Sequence, residues 1–137
     1  MNKIKYDIDL MKFISMFENI THVSPKDCIS GDPLIFVVNR GDIAKAIGKN
    51  ASNIHRIEGL LKKRVKIIEF NDDICMFIRN VISPLKVAEV SKEENKITIK
   101  DPDMKTKGMI IGRDSTNLNK TKEIVSRYFE FEEIVVR

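Results

Sequence analysis

The sequence predicts an α+β fold that contains two copies of one small unit. Apolar residues recur at helical spacing in some segments and form short continuous or alternating runs in others, which is typical of a chain that mixes helices with strands. Superposing Gly48 on Gly112 aligns apolar, basic and glycine positions of two segments that lie 64 residues apart. A length of 137 residues is sufficient for two very small domains.

The first unit begins with a helix and two strands. An apolar stripe at helical spacing predicts a helix from residue 7 to about residue 18. The Ser24-Pro25 step prevents its continuation, because the residue before a proline disfavours the helical conformation. A short strand at 28–29 and a buried strand over 34–38, which is a continuous apolar run, follow.

The unit closes with two helices and a strand. Asp42 is a favourable N-cap for a short helix that ends at Gly48. A longer helix over about 51–63 turns its apolar residues inward, and a strand over 65–70 completes the unit. The predicted order is therefore helix, strand, strand, helix, helix, strand.

A further helix links the two copies. Asn71-Asp72-Asp73 is its predicted cap and Ser83-Pro84 its end, and we expect it to replace the first helix, which the second copy lacks. The second copy is predicted to contain strands over 86–90, 96–100 and 132–136 and helices over 104–111 and 115–128. The expected domains are 1–83, which includes the linking helix, and 84–137.

The basic residues are concentrated in two segments. The net charge is only +4, but 40–66 holds eight basic and two acidic residues, and 105–127 holds six basic and two acidic residues. The remainder of the chain is mildly acidic. Such segregation is typical of a protein that binds a polyanion, because the local potential attracts phosphates. The alternative is that both segments are solvated helix faces.

In both copies a short helix ends at a glycine, a cation follows at once, and a longer basic helix begins within three residues. Gly48 and Gly112 permit a positive φ and carry no Cβ that would hinder the approach of another backbone. The amides at the start of the next helix, together with Lys49 or Arg113, favour a sugar–phosphate backbone as ligand. The alternative is an ordinary C-cap glycine beside a surface cation.

These corners resemble a known RNA-binding motif. The sequences IGKNASNI at 47–54 and IGRDSTNL at 111–118 are similar to the IGxxGxxI/L core of KH domains, and the element order resembles the type II, prokaryotic KH arrangement. Residues 65–87 are similar to the junction between the tandem KH domains of NusA. The resemblance extends over about 5–136 and is to the archaeal NusA-like transcription factors. It implies two tandem type II KH domains, each a three-stranded sheet packed by helices.

The resemblance implies that each corner clamps single-stranded RNA, with about four nucleotides per domain. Both loops lack the final glycine of the motif, and Asp114, a candidate N-cap, places a carboxylate where a phosphate would pass, so the first loop is the stronger candidate. The predicted RNA-binding residues are Gly48, Lys49, Asn50, Ala51, Arg56, Lys62, Lys63, Gly112, Arg113, Asp114, Ser115 and Lys120. The candidates for an apolar floor beneath the bases are Val37, Ile47, Ile54 and Ile111, which are equally compatible with ordinary core.

The predicted function is an RNA-binding transcription factor that acts in elongation, termination or antitermination. Single-stranded RNA is the expected partner, and RNA polymerase is a candidate second partner. The alternative is an adapter that docks on RNA polymerase or the ribosome and whose degenerate loops have lost useful RNA affinity. The intact Gly-Lys and Gly-Arg pairs favour the first function, whereas Ala51, Asp114 and Ser115 favour the second.

No pattern predicts an enzyme or a bound cofactor. His22 and His55 have no partner pattern, and the sequence contains neither a Walker-type phosphate loop nor a dinucleotide fingerprint. Cys28 and Cys75 are isolated and are expected to be small buried residues rather than metal ligands. With no visible export signal and no membrane-length apolar run, we expect a cytoplasmic monomer without a metal or a small-molecule substrate.

Overall fold

The computed structural model describes residues 3–137, with side chains from residue 9 onward. The chain divides into two compact units, Met1–Phe70 and Asn71–Arg137. Each unit combines helices with one three-stranded sheet, so the predicted α+β class is confirmed. In both sheets the first two strands pair antiparallel and the last two pair parallel.

The first unit follows the predicted element order. Its elements are α1 (Lys3–Thr21), β1 (Asp27–Ile29), β2 (Leu34–Val38), α2 (Ile43–Ile47), α3 (Ser52–Leu61) and β3 (Val65–Glu69). The strands lie in the order β1-β2-β3, and Leu34 is paired with Val65 in the parallel register. Every residue of β2 is buried, which agrees with its continuous apolar run.

The core of the first unit lies between its sheet and its helices. Phe17 of α1 is fully buried and stacks on Phe36 of β2, with ring centroids 4.3 Å apart. Ala46 of α2 and Ile57 of α3 belong to the same apolar cluster. The cluster fixes α2 and α3 on the sheet, and the connection between these two helices is the first glycine corner.

The second unit repeats this arrangement with α4 at its start. Its elements are α4 (Ile74–Ile82), β4 (Glu89–Glu93), β5 (Lys96–Lys100), α5 (Met104–Ile111), α6 (Thr116–Ser126) and β6 (Glu133–Val136). The predicted cap of α4 is confirmed, because the Asp73 carboxylate accepts a hydrogen bond from the amide of Cys75 at 2.9 Å. Phe77 of α4 is fully buried and meets Tyr128 edge-on at 5.5 Å between ring centroids.

The structure places the division of the chain before α4, whereas the sequence places it after residue 83. The contacts divide the chain between Phe70 and Asn71 because α4 packs against α6 and β4, both of which belong to the second unit. In the first unit α1 packs against α3 in the same way. The helix expected to replace the first helix of the second copy therefore lies within that copy.

Two local predictions need correction. The predicted strand 86–90 is wrong in position, because β4 begins at Glu89. Arg79 donates to the carbonyl of Val87 at 3.0 Å and the Asp101 carboxylate accepts from the amide of Ala88 at 3.0 Å, so side chains hold this backbone outside the strand ladder. Asp42 occupies the N-cap position of α2, but its side chain makes no capping hydrogen bond.

Within residues 3–137, no helix combines the length and the apolar character that a bilayer span requires.

Candidate nucleic-acid interface

The first corner connects α2 to α3 through Gly48 and one 3₁₀ turn. Gly48 has φ 79° and ψ 167°, and the turn that follows spans Lys49–Ala51. Asn50 and Ala51 both adopt the left-handed conformation, with φ 54° and 59°. The amide of Ala51 donates to the carbonyl of Gly48 at 3.1 Å. Four residues, 48–51, thus separate the end of α2 from the start of α3.

The second corner has the same backbone geometry. Gly112 has φ 74° and ψ 172°, and Asp114 and Ser115 are left-handed with φ 55° and 62°. The amide of Ser115 donates to the carbonyl of Gly112 at 3.2 Å, as Ala51 does to Gly48. The sequence repeat is therefore a structural repeat, residue by residue, at both corners.

An asparagine on the second helix of each corner ties it to the end of the first helix. The Asn53 side-chain amide donates to the carbonyl of Lys45 at 3.1 Å, and that of Asn117 donates to the carbonyl of Met109 at 2.9 Å. Both bonds span eight residues and both satisfy a carbonyl that the end of a helix leaves free. Sequence reasoning missed this role. The available signal was the asparagine shared by both copies.

The asparagines also explain why the corners need glycine. A Cβ placed on Gly48 would lie 2.9 Å from the Asn53 side-chain amide, and one on Gly112 would lie 2.6 Å from Cγ of Asn117. Both glycines also have a positive φ, which strains other residues. The fold of the corner therefore requires these glycines, independently of any ligand backbone.

The final motif position carries strain in both loops. Ala51 and Ser115 occupy it in the left-handed conformation, where the motif has glycine. An L-residue with a Cβ loses about 1–2 kcal/mol in this conformation. The replacement is therefore a larger change than the single added methyl of Ala51 suggests.

The predicted N-cap role of Asp114 is wrong. Ser115, not Asp114, occupies the position that precedes α6, and its side chain makes no capping hydrogen bond. Asp114 lies in the middle of the 3₁₀ turn, and its side chain is exposed. The reason is that the turn takes up three residues between the glycine and the helix. The carboxylate therefore lies at the tip of the second loop, where Asn50 lies in the first.

Both loop tips present cations and free amides to solvent. The side chains of Lys49, Asn50, Arg113 and Asp114 are exposed. The backbone amides of these four residues donate no hydrogen bond within the part of the chain that the structure describes. Free amides beside a cation can bind an anion, because each N–H carries partial positive charge. In the first tip the cation and the free amides lie beside the neutral side chain of Asn50. In the second tip they lie beside the carboxylate of Asp114.

The remaining predicted cations lie at different distances from the loops. Arg56 is exposed one turn into α3, and Lys120 is half-buried one turn into α6. Lys62 directly follows α3, which places it about 15 Å along the helix axis from Ser52. Lys63 extends toward α1, where its Nζ lies 6.0 Å from the centroid of the Phe13 ring. Arg56 and Lys120 thus lie near the corners, whereas Lys62 and Lys63 do not.

The four candidates for an apolar floor beneath the bases differ in how much of their surface is exposed. Ile47, Ile54 and Ile111 are half-buried and retain some exposed surface beside the corners. Val37 is fully buried in β2. Its side chain belongs to the core. The prediction that Val37 forms part of a surface beneath the bases is therefore wrong.

The described residues contain no group of three or more His, Cys, Asp or Glu side chains that could hold a metal ion. Cys28 is buried as expected, whereas Cys75 is only half-buried. Partial burial, reinforced by the negative charge of Asp73, raises the pKa of the Cys75 thiol. A raised pKa disfavours the reactive thiolate.

Comparisons with known proteins give several similar chains of matching length. No protein-family model matches the chain. It is 30% identical over 127 residues to "Probable transcription termination protein NusA" of Halococcus morrhuae, which covers 90% of this chain and 91% of that protein. The protein of the same description from Halobacterium salinarum is 30% identical over 134 residues, or 96% of each chain.

A solved structure described as "Crystal structure of APE1850" has a similar fold. It superposes with a TM-score of 0.73 at 26% identity, over 95% of this chain and 99% of that one. The similarity thus extends over both compact units.

Proposed function

Because the chain belongs to the archaeal family of NusA-like transcription termination proteins, we propose that it is a transcription factor that binds single-stranded RNA at its two glycine corners. In this proposal the two units are tandem type II KH domains, and the corners are their phosphate-clamping loops. The RNA is the nascent transcript, and its capture affects termination. Relatives described as transcription termination proteins support the general role, and the corners supply the means of binding.

The observation that carries the proposal is the matched geometry of the two corners. Gly48 and Gly112 have the same φ and ψ within about ten degrees, and each is followed by an exposed cation and by amides that bond to nothing in the described chain. A phosphodiester offers the acceptor oxygens and the negative charge that such a tip lacks. The glycine geometry, the exposed cation and the free amides occur at both corners, which supports a binding role for both in this proposal.

The first corner is proposed as the stronger clamp. Lys49 and Asn50 at its tip carry a net positive charge, whereas Arg113 is offset by Asp114 in the second tip. A carboxylate about 6 Å from a phosphate in partly screened surroundings costs on the order of 1 kcal/mol. Arg56 and Lys120, each one turn further along, are proposed to contact the next phosphate.

Anisotropy titrations of a short labelled single-stranded RNA test the proposal. Lys49→Asp should weaken binding about tenfold, and Arg113→Asp less, because the second tip already carries a carboxylate. Lys86→Asp is the matched control, since Lys86 is exposed outside both corners and the charge change is the same. If about four phosphates are neutralised, the logarithm of the affinity falls with the logarithm of the salt concentration with a slope of about −3.

The outcomes separate the two candidate functions. Loss of affinity in Lys49→Asp alone assigns RNA binding to the first corner, and loss in both variants assigns it to both. Equal binding by Lys49→Asp, Arg113→Asp and the Lys86→Asp control would remove the corners from the function. That result would favour the alternative role of a protein-docking adapter with little RNA affinity.

A further inference from the structure

An exposed apolar groove lies between α1 and α3 of the first unit. It has a volume of about 640 Å³ and is lined by Met11, Lys12, Ser15, Met16, Asn19, Ile20 and Leu60. Met11 is 65% exposed and Leu60 is 57% exposed. RNA binding at the corners uses none of the lining residues.

The groove has the composition of a surface that binds a protein helix. Its residues on α1 recur at spacings of three and four, so they form one continuous stripe along the helix, and Leu60 borders the stripe from α3. Met11 and Met16 supply flexible, polarisable side chains that adapt to a partner surface.

Among the described residues that line the groove, the charged side chain is a cation. This residue is Lys12 of α1. Lys63 extends toward α1, as its position near the Phe13 ring shows. No carboxylate stands among the lining residues that the structure describes, and the carboxylates of Asp9 and Glu18 lie elsewhere on α1. A partner seated on the apolar stripe therefore meets cations at its edges.

We propose that this groove is a docking site for an amphipathic helix of a protein partner with acidic residues along the edges of its apolar face. The apolar face would pack on Met11, Met16 and Leu60, and the acidic residues would meet Lys12 and Lys63. Electrostatic complementarity selects this helix over a basic one, because a basic helix brings like charges together.

The groove and the first corner lie at opposite ends of α3. Leu60 is about 12 Å along the helix axis from Ser52, where the corner ends. A helix on the groove and a strand of RNA on the corner can therefore occupy the same unit together. The proposal stands apart from RNA binding, and it assigns Lys63 to the protein-docking surface instead of the RNA site.

Methionine methyl NMR on the full chain tests the proposal. The sequence contains six methionines, of which Met11 and Met16 line the groove, while Met76, Met104 and Met109 lie elsewhere and serve as internal references. The probe is a synthetic amphipathic peptide of about 18 residues with leucines on one face and glutamates on both flanks. A twin peptide carries lysine in place of every glutamate.

The proposal predicts that the glutamate peptide, at up to about 1 mM, shifts the methyl signals of Met11 and Met16 and leaves those of Met104 and Met109 in place. The lysine twin should bind at least about tenfold more weakly. Leu60→Ser and Lys12→Glu should each weaken binding of the glutamate peptide about three- to tenfold, whereas Met104→Ser, which removes another exposed methionine, should not. Unchanged reference methyl signals show that each variant is folded.

Four results would overturn the proposal. These are the absence of any shift at Met11 and Met16, equal binding of the two peptides, shifts centred on Met104 or Met109, and insensitivity to both groove substitutions. Concentration-dependent shifts of Met11 and Met16 without peptide would instead assign the groove to a second copy of the chain. If a single-stranded RNA shifts the signals of Met11 and Met16 more than the peptide does, the groove would be assigned to RNA binding.

Discussion

The side-chain amide of Asn117 donates a hydrogen bond of 2.9 Å to the backbone carbonyl of Met109, and this bond ties the start of α6 to the end of α5. Asn53 makes the equivalent bond to Lys45 in the first unit. Each bond fixes the angle at which two helices meet at a glycine. These corners hold the loop tips that we propose as RNA clamps.

Asn117→Ala removes this bond and leaves the carbonyl of Met109 without its partner. We expect the free energy of unfolding to fall by about 1 kcal/mol, the usual net value of one such hydrogen bond. Urea unfolding followed by circular dichroism measures the change. Asn119→Ala is the control, because Asn119 is an exposed asparagine on the same helix. Equal stability of the two variants would contradict the role assigned to Asn117.

Gly112→Ala should destabilise the protein more than Gly41→Ala. Both glycines have a positive φ, so each substitution costs about 1–2 kcal/mol in backbone strain. A Cβ at Gly41 meets nothing within 4 Å, whereas one at Gly112 lies 2.6 Å from Asn117. The double variant Gly112→Ala/Asn117→Ala should recover part of the additional stability that Gly112→Ala loses relative to Gly41→Ala. Identical unfolding midpoints for the two single variants would exclude a steric role for Asn117.

Ala51→Gly and Ser115→Gly should stabilise the corners. Glycine removes the left-handed strain of about 1–2 kcal/mol, but its greater freedom in the unfolded chain offsets about 0.5–1 kcal/mol, so a gain of up to about 1 kcal/mol is expected. Ala44→Gly is the control, because Ala44 is exposed within α2 and glycine there costs about 1 kcal/mol. Urea unfolding measures the stability of each variant. A loss of stability in all three variants would argue against strain at the final motif position.

Asp114→Asn should strengthen RNA binding at the second corner about threefold to tenfold. The substitution removes a carboxylate from the tip, where in the proposed RNA complex it opposes a phosphate with a repulsion on the order of 1 kcal/mol. Glu123→Gln on α6 is the matched control, since it removes the same charge from an exposed position further along the helix. Anisotropy titrations in the Lys49→Asp background isolate the second corner. Equal effects of Asp114→Asn and Glu123→Gln on RNA affinity would show that Asp114 acts only through the overall charge of the protein.

The stability of the second unit should fall at acidic pH through Asp103. Hydrogen bonds from the Thr106 hydroxyl at 2.6 Å and from its amide at 3.2 Å lower the pKa of the Asp103 carboxyl. A carboxyl whose pKa is lowered in the folded state stabilises the protein above its unfolded pKa of about 4. This contribution is lost as the pH falls through the lowered folded pKa.

The test of this pH dependence compares urea midpoints between pH 6 and pH 2. The wild type should lose more stability over this range than Asp103→Asn, in which the cap no longer titrates. Asp72→Asn, at an exposed aspartate outside the cap of α5, should follow the wild type. Parallel curves for the wild type and Asp103→Asn would show that this cap does not contribute to acid sensitivity.

Local sequence patterns predicted most of the helices and strands, because these elements depend on residues that are close together in the chain. The strands Leu34–Val38 and Lys96–Lys100 and the helix Met104–Ile111 were predicted with the bounds observed. The strand predicted at 86–90 begins three residues later, because Arg79 and Asp101 bind its backbone from elsewhere in the chain. Those contacts have no signature in the local alternation of apolar and polar residues.

The sequence by itself determined the two-copy architecture, the α+β class and the glycine corners, since apolar period, breakers and a repeat are properties of residues close together in the chain. Only the tertiary structure decided what each corner residue does. It assigned Asn53 and Asn117 to the helix ends, placed Val37 in the core and left Asp114 at a loop tip. It also brought Leu60 beside α1 to form the groove. These relationships depend on which distant segments pack together, and packing is settled only when the whole core forms.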